Sequence, residues 1–200
     1  MTIAILDYGA GNIKSVSKAL DFLGTEHKIT DSPKEIAKCD KLIFPGVGNF
    51  GDVMTLLTKK KLIEPIRLFI SSGKPYLGIC LGLQILYDSS EESPGINGFK
   101  ILKGNVRMLK TELKVPHIGW NTIKFRKKSK LFNRISNDNY FYFVHSYHVN
   151  PEDNGSILTT TDYGMEFVSG IEQGNVYAVQ FHPEKSSRLG LRLIENFLLI

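Results

Sequence analysis

The sequence predicts a single α/β domain, with a mainly parallel sheet in its first half and a β-rich second half. Three observations carry this. Apolar runs alternate with stretches of helical periodicity through about residue 85. From about Lys103 the pattern changes to short strands separated by turns. Finally, 200 residues that are 42% hydrophobic, with no repeat, low-complexity tract or linker, suffice for one well-buried core.

Each element has its own signature. The run Ile3 to Asp7 reads as a buried strand. Ile13, Val16, Leu20 and Leu23 then recur on one helical face, with Gly24 as the stop. Ser32-Pro33-Lys34-Glu35 combines an N-cap serine, a proline at the first helical position and an acidic residue three after the cap, so a short helix starts there. A strand from Lys41 to Phe44 runs into a Pro-Gly loop, helical patterns cover Asp52 to Leu57 and Leu62 to Ser72, and Lys74 to Cys80 returns to strand. In the second half NVRML, NTIKF, YFYFVHSY and SILTTT read as strands. SGIEQGNVYAVQF reads as a hairpin turning at Gly174 and Asn175, and a helix from Leu189 to Leu199 closes the chain.

Composition excludes several classes. No run approaches the roughly 18–20 apolar residues of a membrane span, and the N-terminus lacks the basic region and cleavage site of a signal peptide, so a soluble, cytoplasmic protein is expected. The two cysteines, Cys39 and Cys80, are far apart and in no metal-like spacing, which argues against a disulfide scaffold or a metal site. The net charge of +5 comes largely from scattered lysines and the short runs Lys59–Lys61 and Arg126–Lys130, without interleaved stacking aromatics; solvated faces, and no nucleic-acid partner, are expected. Gly9 and Gly11 invite a dinucleotide-binding reading, but Lys14 stands where the third glycine belongs.

Cys80 lies between Gly78 and Gly82, where a strand should hand over to a helix. A nucleophile at such a turn sits in a strained conformation that exposes its side chain, and small residues two before and two after allow the strand end and first helical turn to pass closely. The start of a helix favours thiolate over thiol, and the Leu81 amide would face an oxyanion formed on attack. Such a thiol needs a base. Of the five histidines, His182 directly follows the strand VYAVQF, and in an extended backbone Glu184 would project to the same side and fix its tautomer. The loop Pro45-Gly46-Val47-Gly48, at another strand end, can turn a backbone amide toward the same substrate carbonyl. Cys39 lacks any such setting and reads as a structural or semi-exposed thiol. His145 and His148 lack a third ligand at a convincing spacing and read as satisfied polar residues.

PGVG, GICLGLQ and FHPE, in this order, resemble the class I, triad-type glutamine amidotransferases. DYGAGN, PHIGWN, YFVHSY and FHPEKSS extend the similarity, over essentially the full length, to the glutaminase subunits of imidazole glycerol phosphate synthases. The resemblance implies one flavodoxin-like glutaminase domain over residues 1–200, without cofactor or metal, that hydrolyses L-glutamine through a cysteine thioester. Its ammonia would pass to a separate (β/α)8-barrel cyclase subunit in a heterodimer serving histidine biosynthesis. By matching motif positions it makes Cys80 the nucleophile, His182 the general base and acid, and Glu184 its orienter. Val47, Gly48 and Leu81 become the oxyanion site, Gln84 and Glu92 hold the glutamine, and Ser146 and Tyr147 line its cleft through backbone contacts. Asn12, Trp120, Tyr142 and Lys185 fall on the face toward the cyclase.

If the Val47 carbonyl rather than its amide faces the cleft in the free chain, the oxyanion site is incomplete and turnover without the partner is poor. Two other readings compete: a paralogous glutaminase feeding a sugar-modifying partner in surface glycan synthesis, and a catalytically silent scaffold. An intact Cys80, His182 and Glu184 argue against the latter.

Overall fold

The computed structural model describes residues 1–200. In β1 (Ile3–Leu6) successive side chains point to opposite faces: Ile3 and Ile5 enter one apolar layer, Ala4 and Leu6 the other, and all four are buried. A strand buried on both faces needs helices on both. They follow as α1 (Ile13–Phe22), stopped by Gly24 at φ +66°, then β2 (His27–Thr30), α2 (Pro33–Lys38), β3 (Lys41–Gly46), α3 (Phe50–Lys59), α4 (Ile63–Ser71), β4 (Tyr76–Cys80) and the one-turn α5 (Leu81–Gln84). Sequence reading missed β2, whose HKIT is mostly solvent-facing and lacks an apolar run. It also started α3 two residues late: the Asn49 side chain accepts the Gly51 and Asp52 amides at 2.8 and 3.2 Å and caps the helix at Phe50.

The second half supplies β5 (Ser89–Ser90), β6 (Gly104–Met108), β7 (His117–Thr122), β8 (Lys124–Phe125), β9 (Tyr140–His145), β10 (Tyr147–Pro151), β11 (Ile157–Asp162), β12 (Glu166–Gln173), β13 (Val176–Val179) and α6 (Ser187–Leu199). The main sheet runs β2-β1-β3-β4-β13-β12-β10-β6-β5, with β11 beside β12 and β8 beside β11. The five strands from β2 to β13 are mutually parallel, and β12 pairs antiparallel to β13 across the Gly174-Asn175 turn. NTIKF is not one strand. Ile123 is fully buried between β7 and β8, so the chain turns inward there; β7 pairs with β9 in a separate ribbon, whereas β8 joins β11.

The core divides along the sheet. Residues of α2, α3, α4 and α5 pack on one face, and those of α1, α6 and the inward side of β9 on the other. Strand β13 inserts next to β4 in parallel register, Val176 against Tyr76 through Val179 against Ile79, and β3 flanks β4 on its other side up to Gly46 against Cys80. The carboxyl ends of β3, β4 and β13 therefore meet at one sheet edge, where open parallel sheets place their sites.

The turn from β4 into α5 is tight enough to exclude side chains. A methyl on Gly78 would lie 2.3 Å from the Gly82 carbonyl oxygen, and one on Gly82 would lie 2.3 Å from the Phe44 carbonyl oxygen. Both obstacles are backbone and cannot swing away. Gly82→Ala is expected to lower stability by at least about 2 kcal/mol, read by urea denaturation; a wild-type midpoint in that variant would contradict the packing described.

Candidate active site

Cys80 ends β4 at φ +53° and ψ −105°, a positive-φ conformation that costs a side-chain-bearing residue energy and is held here by the packing of the two glycines. The turn lifts the sulfur to the rim of a cavity of about 400 Å³ whose lining includes Val47, Gly48, Leu81, Gln84, Glu92, Ser146, Tyr147 and Lys185. Just beyond β13, His182 is buried with its Nδ1 2.8 Å from Glu184 Oε1. Its Nε2 has no aligned hydrogen bond, but lies close enough to the sulfur to feel its charge. Burial works against the imidazolium. The charge of Cys80, its interaction with the ring and the Glu184 carboxylate outweigh that and push the imidazole up to about 10. The imidazolium is therefore the favoured form of His182.

His182 and Glu184 do not meet along an extended backbone, as the sequence pattern suggested. Residues Pro183–Lys185 form a single 3-10 turn, and that turn brings the carboxylate back to the ring. The following serine fixes the turn: Ser186 Oγ donates to the His182 carbonyl at 2.6 Å and accepts the Tyr142 amide at 3.0 Å. Asn12, expected on the partner face, is also occupied here. Its Nδ2 donates to Glu184 Oε1 at 3.0 Å and its Oδ1 accepts from Ser15 at 2.7 Å, so α1 braces the carboxylate.

One further expectation needs correction. Helix α5 is a single turn, too short to sum a sizeable macrodipole, so that source of thiolate stabilisation is small. A polar side chain does donate to the sulfur: Gln180 Nε2, at 3.4 Å. The Val47 amide donates to the Tyr8 hydroxyl at 3.4 Å. Tyr8 is fully buried and stacked on Phe44, which holds that acceptor in place. Gly46, in the preceding peptide, and Gly48, at φ +103°, flank Val47 with backbones free of side chains.

The remaining residues fall as follows. Glu92 lines the cavity while its Oε2 accepts the Phe50 amide at 2.7 Å, tying the loop to the start of α3. Gln84 is buried, with Nε2 donating to the Tyr147 carbonyl and to Gln180 Oε1. The Tyr147 carbonyl also accepts from His145 Nδ1, so both lone pairs are taken and this carbonyl is not free for a bound molecule. Trp120 sits opposite Tyr142 across the β7–β9 ribbon with half its surface exposed, next to Ile118 and Tyr140, and Lys185 Nζ lies 5.9 Å from the Tyr142 ring. The ribbon continues to Val144, whose carbonyl is 3.9 Å from the Cys80 sulfur. His148 bonds the Val149 carbonyl. Cys39 is buried, and burial first of all pushes its thiol up to about 11, a structural thiol.

Gln180 and His117 were missed. Gln180 had a signal: it is the one polar side chain in the strand-like run VYAVQF, two residues before His182, yet has no exposed surface. His117 had none beyond its place in PHIGWN; its partner His145 is 28 residues away.

A thiol at a strained strand–helix turn, a buried imidazole–carboxylate pair beside it and a cavity at the sheet edge define a cysteine-nucleophile site of acyl-transfer type. The chain belongs to the class-I glutamine amidotransferase family, whose model matches residues 4–200. It is 51% identical over 196 residues, 98% of each chain, to "Imidazole glycerol phosphate synthase subunit HisH" of Methanocaldococcus jannaschii. The protein of that name from Pyrococcus furiosus is 53% identical over 98% of this chain and 97% of its own. Among solved structures, a glutamine amidotransferase superposes with TM-score 0.77 at 20% identity, covering 98% of this chain and 97% of that one. PurLQS from Thermotoga maritima gives 0.76 at 18%, covering 99% and 97%. At these identities the two structures establish the fold.

Burial holds His117 down to about 4 and His145 to about 3, so both are neutral in the folded protein, whereas an unfolded chain protonates them near 6.5. Below that value the unfolded state binds more protons and stability falls with pH. His182 has the opposite sign: its contribution is complete below about 6.5 and is lost as pH rises toward 10. Urea midpoints are expected to fall from pH 6.5 to 4, and a His117→Phe variant is expected to show a shallower fall; equal slopes would contradict this assignment.

Proposed function

We propose that this chain is the glutaminase subunit of an imidazole glycerol phosphate synthase, acting as one unit over residues 1–200 in the cytoplasm. The convergence of Cys80, His182 and Glu184 carries the reading, and the near-full-length relatives support the pathway. The Cys80 thiolate attacks the side-chain carbonyl carbon of L-glutamine. The tetrahedral intermediate collapses as His182 Nε2 gives its proton to the leaving nitrogen, releasing ammonia and leaving a thioester. His182 then takes a proton from water, whose oxygen attacks the thioester and returns glutamate and the free thiol. Glu184, braced by Asn12, holds the ring with Nδ1–H inward. Glu92 and Gln84 face the bound glutamine from the cavity wall, its α-ammonium pairing with the Glu92 carboxylate.

The partner is a (β/α)8-barrel cyclase, and its docking surface is the exposed apolar face of the β7–β9 ribbon, centred on Trp120 and Tyr142 with Lys185 beside them. That ribbon reaches the sulfur through Val144, so docking and chemistry share one strand pair. In the free chain the Val47 amide is held by Tyr8 and the oxyanion site has Leu81 alone. Docking turns the Gly46–Val47 peptide so that the amide faces the cleft.

Glutamate release, measured with and without the cyclase, tests this. Cys80→Ala is expected to lose at least about 10³-fold in turnover while still binding the partner; retained hydrolysis would refute the assignment. Tyr8→Phe removes the acceptor that holds the Val47 amide and is expected to raise partner-independent hydrolysis about two- to tenfold. A fall or no change in a folded variant would argue against the latch.

A further inference from the structure

Outside the triad, the sulfur meets a second set of polar groups, all neutral, of which Gln180, Gln84, His145 and His117 are buried. Hydrogen-bond bookkeeping fixes the direction of every link. The Asn121 amide group donates to the Asp162 carbonyl at 2.8 Å and, with its other hydrogen, to His117 Nε2 at 3.3 Å. His117 must then carry its proton on Nδ1, which lies 3.0 Å from His145 Nε2. His145 Nε2 is therefore the acceptor, and its Nδ1–H donates to the Tyr147 carbonyl at 2.9 Å. A carbonyl can only accept, so the Gln84 group 3.0 Å away on the same oxygen is the NH2 end. Its second hydrogen reaches Gln180 at 3.1 Å, which must present Oε1. That leaves Gln180 one orientation, with Nε2–H toward the Cys80 sulfur at 3.4 Å.

We infer that Gln180 is a catalytic hydrogen-bond donor that holds Cys80 as a thiolate, and that Gln84, set by the doubly bonded Tyr147 carbonyl, is the positioning residue that keeps Gln180 from presenting its oxygen. A thiolate accepts hydrogen bonds and a thiol donates them, so a fixed N–H beside the sulfur favours the charged form. The Val144 carbonyl already lies 3.9 Å from the sulfur, and a flipped Gln180 would set a second carbonyl oxygen there and favour the thiol. The amide cannot flip without leaving Gln84 Nε2–H against its own Nε2–H in a fully buried place. Because every member is neutral, the relay adds a donor without adding a cation that would compete with His182 for Glu184. Asn121 lies on β7, next to Trp120, so the chain of bonds also runs from the exposed ribbon to the sulfur.

This inference rests on Cys80 being the nucleophile, but its test reads the thiol's own ionisation. It can fail while glutaminase activity stands, and it can hold if the substrate assignment fails. The titratable groups facing the sulfur are His182, with Glu184 behind it, from the turn after β13 and Tyr8 from the loop after β1; Glu92, His145, Tyr147 and Lys185 line the same cavity. Only variants that leave these in place are informative.

The experiment is the rate of iodoacetamide alkylation of Cys80 against pH, followed by mass spectrometry of the Cys80 peptide in the full chain and in Gln180→Leu. The variant's profile is expected to move to higher pH, with the rate at pH 7 falling about tenfold. An unchanged profile in a variant with wild-type circular dichroism overturns the proposal. Should Gln180→Leu fail to fold, the wild-type chain decides. The Gln180 side-chain NH2 resonances are expected to shift with the same midpoint as the alkylation rate, and resonances that ignore that ionisation overturn it equally.

Discussion

The parallel pairing of β4 with β13 is the constraint on which the site depends. It joins segments 100 residues apart and sets their ends level, so that Cys80 leaves one strand where Gln180 and His182 leave the other. Register matters more than proximity. Successive residues of a strand face opposite sides, so a slip of one residue would send Gln180 and His182 into the opposite layer and bring Phe181 against the sulfur. Val176, Ala178 and Val179 fix that register by burial in the two apolar layers. Catalytic geometry is thus a by-product of core packing.

On this frame rigidity and freedom are distributed unevenly. Gly78 and Gly82 are glycines because backbone approaches to within van der Waals contact there, and the crowding holds Cys80 at positive φ. The loop after β3 is the reverse case: a methyl on Gly48 would meet nothing within 4 Å, and its backbone sits at φ +103°. The nucleophile is locked, whereas the chain just after Val47 has open space around it. His182 belongs to the locked side, pinned through Ser186 to β9 and through Glu184 and Asn12 to α1.

Much of this was legible in the sequence because it is written in local patterns. The glycines around Cys80, the apolar runs and the Gly174-Asn175 turn each obey rules that need only neighbouring residues. His182 and Glu184 were legible as a pair, although the turn that joins them was read as extended chain; Pro183 permits both, and the 3-10 turn is settled by Ser186 meeting β9, a contact no local pattern encodes. The same limit hid β2, whose exposed HKIT is a strand only because β1 offers it an edge. It also hid the roles of Asn12, His117 and Gln180. Each is defined by a partner at a separation of 172, 28 or 100 residues, and a lone polar side chain does not announce which distant atom it will meet.

In the proposed gating, the energies place control with the Val47 amide. Removing one oxyanion donor typically costs about 10²–10³ in rate, whereas a neutral hydrogen bond such as that from Val47 to Tyr8 is worth about 1 kcal/mol and at 3.4 Å is a long one. A small, local interaction therefore governs a large factor in turnover, and a docking surface of ordinary strength can overcome it. In the proposed gating, a nucleophile beside an incomplete oxyanion site lets the chain bind glutamine at rest and hydrolyse it only when the exposed ribbon is covered.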